Sequence, residues 1–379
     1  MRLNYRVDVA IFLIFIYVIL LKSFSYAETR VKDCLENAEK IAVSIDLYPE
    51  EFVIAVSPVR QTLQIIHSTA RLAGALISEV QNENFRKKLQ STVGELNVTH
   101  KFREFCLDSL ARRYPNKIEE VPPLGSTAKY PNEREARLDR YKKFRNKGYN
   151  VLIDLRLTSG IYGPEGEMFF RLAGTIIDLE AEKTLWRGEL IVSSECEEMK
   201  LISAFKTYFN PFKSNYFSPR LTISDTALSR WTDQEGANFF KFKESGMNLV
   251  TEAFYTNVDV SESCLGWYGM GLSLIYKGRW KKAVECFKRA VELEPKFIDA
   301  YNALIVSLYK AKRVDEAIEL GEKLIEADFP EENKIRNVYF NLSYIYAKKK
   351  KDLNKAKEYY QKYIQLGGVP SKKFDPTRE

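Results

Sequence analysis

Hydrophobic spacing divides the chain into a first part with helices and strands and a last third made of helices. Apolar residues recur every three or four positions over residues 61–90 and 102–114, which predicts two amphipathic helices. The apolar run Phe52–Val56 is closed by Ser57 and Pro58, which predicts a short buried strand. Helical spacing returns over residues 237–254 and predicts a further helix.

The strongest strand pattern lies between these helices. Apolar and polar positions alternate, with Leu152 as the exception, and a turn-rich connection covers residues 159–166. Three strands are predicted, over Tyr149–Thr158, Met168–Leu179 and Thr184–Val192. Meandering strands that follow helices predict an α+β or mixed α/β domain, and we place it over residues 28–257.

The last third of the chain has an internal repeat. One unit combines bulky, small, aromatic and proline positions at Trp267, Gly271, Ala283, Phe287, Ala290 and Pro295. About 34 residues later the pattern returns at Tyr301, Leu304, Ala317 and Pro330. A third copy has Tyr339, Leu342, Ser343, Tyr346, Ala356, Tyr360 and Tyr363. This copy is stretched by a longer linker over residues 331–336 and by one extra residue within 348–351.

This pattern resembles the tetratricopeptide repeat (TPR), in which each unit is a pair of antiparallel helices. The resemblance implies an all-α solenoid of about three repeats over residues 258–370, followed by a disordered tail over 371–379. In this family, ligands usually lie in a groove formed by the first helices of successive repeats. Carried over by position, the expected partner-binding residues are Tyr268, Tyr276, Asn302, Tyr309, Lys310, Phe340, Tyr344 and Lys348. The partner would be a protein or peptide, although several of these side chains could instead cover packed helices.

The α/β domain is similar in element order to exported bacterial envelope domains, namely the curli-secretion lipoproteins and the penicillin-binding-protein activator lipoproteins. The best local match is a strand ending in Asp178, a charged turn, and Leu185-Trp186 at the start of the return strand. It implies a role in envelope assembly. The residues before Cys34 depart from a lipoprotein processing site, so a lipid anchor is not expected.

The first 27 residues have the pattern of a secretion signal. Arg2 and Arg6 precede the apolar run Val9–Leu21, and Ser25-Tyr26-Ala27 places small residues before the expected cut. A spanning helix needs about 20 apolar residues, and Lys22 ends this run early. We therefore predict a signal peptide over residues 1–27 and a periplasmic protein; the alternative is an uncleaved inner-membrane anchor.

Composition narrows the classes of partner. The chain is 45% hydrophobic, 13% aromatic and carries a net charge of +7. The predicted signal holds three basic residues and one acidic residue, which leaves +5 after cleavage. This mild excess is not the dense basic surface of a nucleic-acid-binding protein, but it is compatible with weak association with a membrane surface.

Catalytic and metal-binding motifs are absent from the sequence. There is no GxSxG, Walker or GxGxxG motif, and the histidines His67 and His100 have no ligands at metal-binding spacing. We expect a scaffold or adaptor without enzymatic activity, cofactor or metal. One alternative is an envelope hydrolase that uses carboxylates on the predicted strands, namely Asp154, Asp178 and Glu189. The chain has five cysteines, and a disulfide between Cys34 and Cys196 is one pairing that the sequence leaves undecided.

Overall fold

The computed structural model describes residues 31–48, 50–55, 83–125, 132–163, 166–194, 199, 201, 225–258, 262–327, 332–371 and 374–377. Within them, the strands are β1 (Ile41–Leu47), β2 (Val53–Ala55), β3 (Ile118–Glu120), β4 (Val151–Tyr162), β5 (Glu167–Asp178) and β6 (Lys183–Ser193). The helices of the first region are α1 (31–37), α2 (83–93), α3 (Val98–Arg113), α4 (Glu133–Asn146) and α5 (Asp225–Val258). Six helices follow: α6 (Cys264–Tyr276), α7 (Trp280–Leu293), α8 (Ile298–Lys310), α9 (Val314–Glu326), α10 (Glu332–Ile345) and α11 (Leu353–Gln365).

The strands form one mixed sheet in the order β3-β1-β4-β5-β6, with β2 also paired to β4. Strands β4, β5 and β6 are an antiparallel meander, whereas β1 and β2 pair with β4 in parallel. Strand β4 is longer than predicted and ends at Tyr162, because β1 pairs with its first half and β2 with its last three residues. The predicted connection 159–166 is therefore shortened at its start. A side chain at Gly160 would overlap the backbone of Val53, so β2 needs glycine there.

Helices cover both faces of the sheet. On one face, α3 and α5 contribute aromatic rings that meet the strands, as in the Phe102–Phe170 pair at 5.3 Å and the Phe254–Trp186 pair at 5.2 Å. On the other face, Phe144 of α4 belongs to a smaller apolar cluster with Leu152. Leu152 breaks the alternation of β4 because apolar groups bury both sides of the strand at this end.

The structure contains the predicted helices where it describes them. Helix α3 confirms the helix expected over 102–114, and α5 contains the helix expected over 237–254. Of the predicted helix over 61–90, only residues 83–90 lie within the described part, and they are helical. Helix α5 is broken at Asp233–Gly236, where Gly236 has φ +81°, a conformation that glycine adopts without strain.

The last six helices form three helix pairs, α6–α7, α8–α9 and α10–α11, so the fold is a mixed α/β region followed by an all-helical repeat region. The expected linker over 331–336 is incorrect, since α10 already begins at Glu332. The extra residue near 348–351 is accommodated by a π-helical turn, Tyr346–Lys350, and Lys351 follows with φ +56°. A π-helical turn accommodates one inserted residue.

The C-terminal segment is packed where the structure describes it, in contrast to the expected disordered tail. Phe374 is buried, and its ring lies 5.1 Å from that of Tyr344 and 5.7 Å from that of Phe340. The backbone N–H of Ser371 donates to the Tyr360 hydroxyl at 3.0 Å. This segment covers apolar surface that a fourth repeat would otherwise bury.

The two regions share one apolar core, because α6 packs against both α5 and the edge strand β6. The Ser273 hydroxyl accepts from the backbone N–H of Ile191 at 3.2 Å, and the Lys277 ammonium donates to the carbonyl of Glu189. These bonds satisfy backbone groups of β6 on the side where the described part of the sheet has no further strand. Among the residues described, no helix has the length and apolar character needed to cross a bilayer. The predicted signal, residues 1–27, lies outside them.

Candidate functional site

Three of the predicted partner-binding side chains lie inside packed interfaces. The ring of Tyr268 packs 4.8 Å from that of Phe297, between helices of the repeats. Tyr276 is buried in a cluster that includes Tyr162 and faces the sheet. Phe340 is almost fully buried among the rings around Phe374. The α/β region therefore occupies the surface of the first repeat, and the C-terminal segment covers part of the third.

Between these two covered parts lies a surface shared by α8 and α10, the first helices of the second and third repeats, which we call the groove. Two asparagines, Asn302 on α8 and Asn341 on α10, lie in it and form the asparagine pair. Both are buried, and the Asn341 amide donates to Oδ1 of Asn302 at 2.8 Å. Buried amides need hydrogen-bond partners, so the asparagine pair indicates that a polar group of the chain contacts the groove here.

The asparagine pair holds the backbone of a segment from the α/β region, Met199 and Leu201, which we call the docked segment. The carbonyl oxygen of Met199 accepts from Nδ2 of Asn302 at 3.1 Å and from Nδ2 of Asn341 at 2.9 Å. The backbone N–H of Leu201 donates to Oδ1 of Asn341 at 2.8 Å. Asn341 thereby uses both amide hydrogens and its oxygen, so the docked segment and Asn302 together fix the orientation of this amide.

Apolar burial accompanies these polar contacts. The Met199 side chain is 3% exposed and that of Leu201 is fully buried, within the same apolar cluster as Val306 and Tyr309 of α8. Side-chain amides thus bind the backbone of the segment, while its two aliphatic side chains are buried in the apolar core. In peptide recognition, main-chain hydrogen bonds commonly supply affinity and side-chain pockets supply specificity.

Aromatic and cationic side chains lie at one end of the groove. The rings of Tyr309 and Tyr344 meet edge to face at 6.1 Å, and the Lys349 ammonium lies 5.9 Å from the Tyr309 ring. Lys310 lies 5.7 Å above Trp280, and burial lowers its pKa from 10.5 to about 8. Lys348 lies 5.8 Å from the ring of Phe374. Acidic groups of a partner would be attracted to this end.

The carboxylates considered for hydrolysis are each engaged separately. Asp154 pairs with Arg140 at 3.3 Å, and Glu189 pairs with Arg171 at 2.7 Å. Asp178 accepts from the backbone N–H groups of the turn that follows β5. In the described part of the chain, no group of three or more His, Cys, Asp or Glu residues is arranged to hold a metal. His67 and Cys196 fall outside that part.

Sequence reasoning placed Asn302 in the groove but missed Asn341, Met199 and Leu201. The available signal for Asn341 was an asparagine flanked by the apolar residues Phe340 and Leu342, because a buried amide requires a partner. The docked segment lies 103 residues from Asn302 and 142 from Asn341, beyond any local periodicity.

Known proteins match the helical region. The tetratricopeptide-repeat family matches residues 268–332 and again residues 337–366, so the C-terminal region consists of TPR repeats. Within a curated relative, the photosystem I assembly protein Ycf3 of Acaryochloris marina (strain MBIC 11017), 104 residues align at 31% identity. The alignment covers 24% of this chain and 63% of that protein, so this chain spans less than two thirds of its relative.

Proposed function

We propose that this chain is an exported, periplasmic scaffold that binds protein partners during bacterial cell-envelope assembly, and that the groove receives an extended segment of the partner. TPR repeats are typical of protein-binding scaffolds and adaptors, whose stacked helices form extended binding surfaces. The observation that carries the proposal is the contact between the asparagine pair and the backbone of Met199 and Leu201. A surface that binds one segment through its backbone is suited to bind another.

The assembly role and the compartment rest on the N-terminal sequence and on the similar protein. The pattern of residues 1–27 favours export, and the relative in Acaryochloris marina carries the name of an assembly protein. The net charge of +5 after cleavage would favour weak association with anionic membrane surfaces. The alternative, a scaffold anchored by an uncleaved N-terminal helix, shares the same groove and differs only in attachment.

Crosslinked capture from envelope fractions tests the role of the groove. The bait is the mature chain in three forms: wild type, the double variant Asn302→Ala/Asn341→Ala, and the control Asn354→Ala. Asn354 is exposed in the first turn of α11, away from the asparagine pair. We expect the proteins captured by wild type and by the control to be lost from the double variant. Equal yields from all three baits would contradict binding in the groove.

N-terminal sequencing of the protein recovered from cells tests export. The mature chain is expected to begin near Glu28 and to be released with the periplasmic fraction. Recovery of intact Met1 in membranes would favour the anchored alternative instead.

A further inference from the structure

We infer that the docked segment is an internal ligand of the groove, so that a partner must carry a segment of similar chemistry and must displace Met199 and Leu201 to bind. This inference rests on the proposed function of the groove and adds how binding there is regulated. The intact chain would hold its own site closed. Partner binding would then release the segment that follows β6.

The contacts of the docked segment are those of a bound peptide. The hydrogen bonds from the asparagine pair to the docked segment reach only backbone atoms, one carbonyl and one N–H two residues apart. A partner segment without proline at the second position carries the same two backbone groups, a carbonyl and an N–H two residues apart. The groove therefore imposes no polar side-chain requirement at these positions, and it selects aliphatic residues there because both side chains are buried.

The internal ligand carries backbone strain. Met199 has φ +36°, in the left-handed region that a residue with a side chain rarely adopts. A partner segment that reaches the asparagine pair in a relaxed backbone conformation avoids this strain. The hydrogen bonds therefore keep the docked segment in the groove, while the backbone strain at Met199 makes its replacement by a partner segment easier.

The charge around the groove defines the partner further. Lys310, Lys348 and Lys349 lie at one end of it, and the sequence immediately before Met199 is acidic, with Glu197 and Glu198. We therefore assign the partner segment to a class in which acidic residues adjoin two aliphatic residues spaced one apart. Its association should weaken as salt is raised.

A closed groove lowers the apparent affinity of any outside ligand by the fraction of molecules that are open. If one molecule in about ten is open, removing the internal ligand strengthens binding about tenfold. The residue to change is Leu201, because Leu201→Pro removes the N–H that donates to Asn341 and leaves the residues of α8 and α10 unchanged.

The probe is a fluorescent peptide with the sequence of residues 197–203, EEMKLIS, blocked at both ends. Fluorescence anisotropy measures its affinity for the full mature chain. We expect binding to the Leu201→Pro variant to be about tenfold tighter than to wild type, and to be lost again when Asn341→Ala is added. A peptide with an ester in place of the leucine amide lacks the N–H and should bind about tenfold more weakly.

A second measurement uses the unmodified chain, in case Leu201→Pro does not fold. Hydrogen exchange at the Leu201 amide should accelerate when excess peptide is added, because the peptide replaces the segment. Unchanged exchange on a saturated groove would overturn the inference.

The outcomes separate this inference from the proposed function. If wild type and Leu201→Pro bind the peptide with equal affinity, and Asn341→Ala abolishes binding in both, the groove is a binding site but the docked segment is not its internal ligand. No binding to any folded form would overturn both.

Discussion

Replacing Asn341 by leucine tests the polar contacts of the groove. Leucine has the same branched skeleton as asparagine but no polar atoms, so Asn341→Leu removes all three hydrogen bonds of the amide. The N–H of Leu201 and Oδ1 of Asn302 then lose a partner in a buried site. Each buried polar group left unsatisfied costs about 1–3 kcal/mol, which gives a total of about 2–6 kcal/mol.

Release of the docked segment into water limits this loss, since water would then satisfy the freed groups. The lower part of the range is therefore expected when the segment detaches. Urea unfolding followed by circular dichroism measures the free energy of unfolding for Asn341→Leu, with Asn354→Leu as the control. The exposed control should stay within about 0.5 kcal/mol of wild type.

A double-mutant cycle with Leu201→Pro assigns the loss to the contact itself. Proline has no N–H to leave unpaired, so Asn341→Leu should cost less in this background, with a coupling of about 0.5–3 kcal/mol. If Asn341→Leu is as stable as the Asn354→Leu control, the asparagine pair does not hold the segment and the reasoning fails.

Three further changes test other parts of the structure. Ala283→Trp should overpack the fully buried contact between α6 and α7 and cost about 1–3 kcal/mol or more; an unchanged thermal midpoint would refute the repeat register. For Lys310, burial lowers the folded-state pKa from 10.5 to about 8, so between these pH values the unfolded chain binds a proton that the folded chain has lost. Stability should rise with pH across this window, and Lys310→Met should reduce that rise in pH-dependent urea titrations; identical slopes would argue against burial. Phe374→Ala should remove a buried ring and cost about 3–5 kcal/mol, measured as a lower thermal midpoint than in the exposed control Val369→Ala.

The helices and strands that can be predicted from the sequence are those with one apolar side and one polar side. The strands of the meander alternate because their two faces meet different surroundings, and the repeats are marked by small residues at close contacts, such as Gly271 against the Phe287 ring. Strand β1 was missed because its first five residues are all buried, which erases the alternation. Helix α4 was missed because its buried residues are Ala136, Arg140 and Phe144, which do not form an apolar stripe.

The groove was only partly predictable for a related reason. The family pattern places first-helix residues by position, but it does not include the α/β region packed on Tyr276 or the C-terminal segment packed on Phe340. Which positions stay accessible depends on these long-range contacts. The pairing of Asn341 with Leu201 joins regions that only the folded chain brings together.

Hydrogen exchange at the amide of Leu201 in the full mature chain tests the central claim most directly. This N–H is buried and donates to Asn341, so its exchange should be slow in wild type and markedly faster in Asn341→Leu, while the Asn354→Leu control matches wild type. Exchange in wild type at the rate of an unprotected amide would show that the groove does not bind this segment, and would contradict the account.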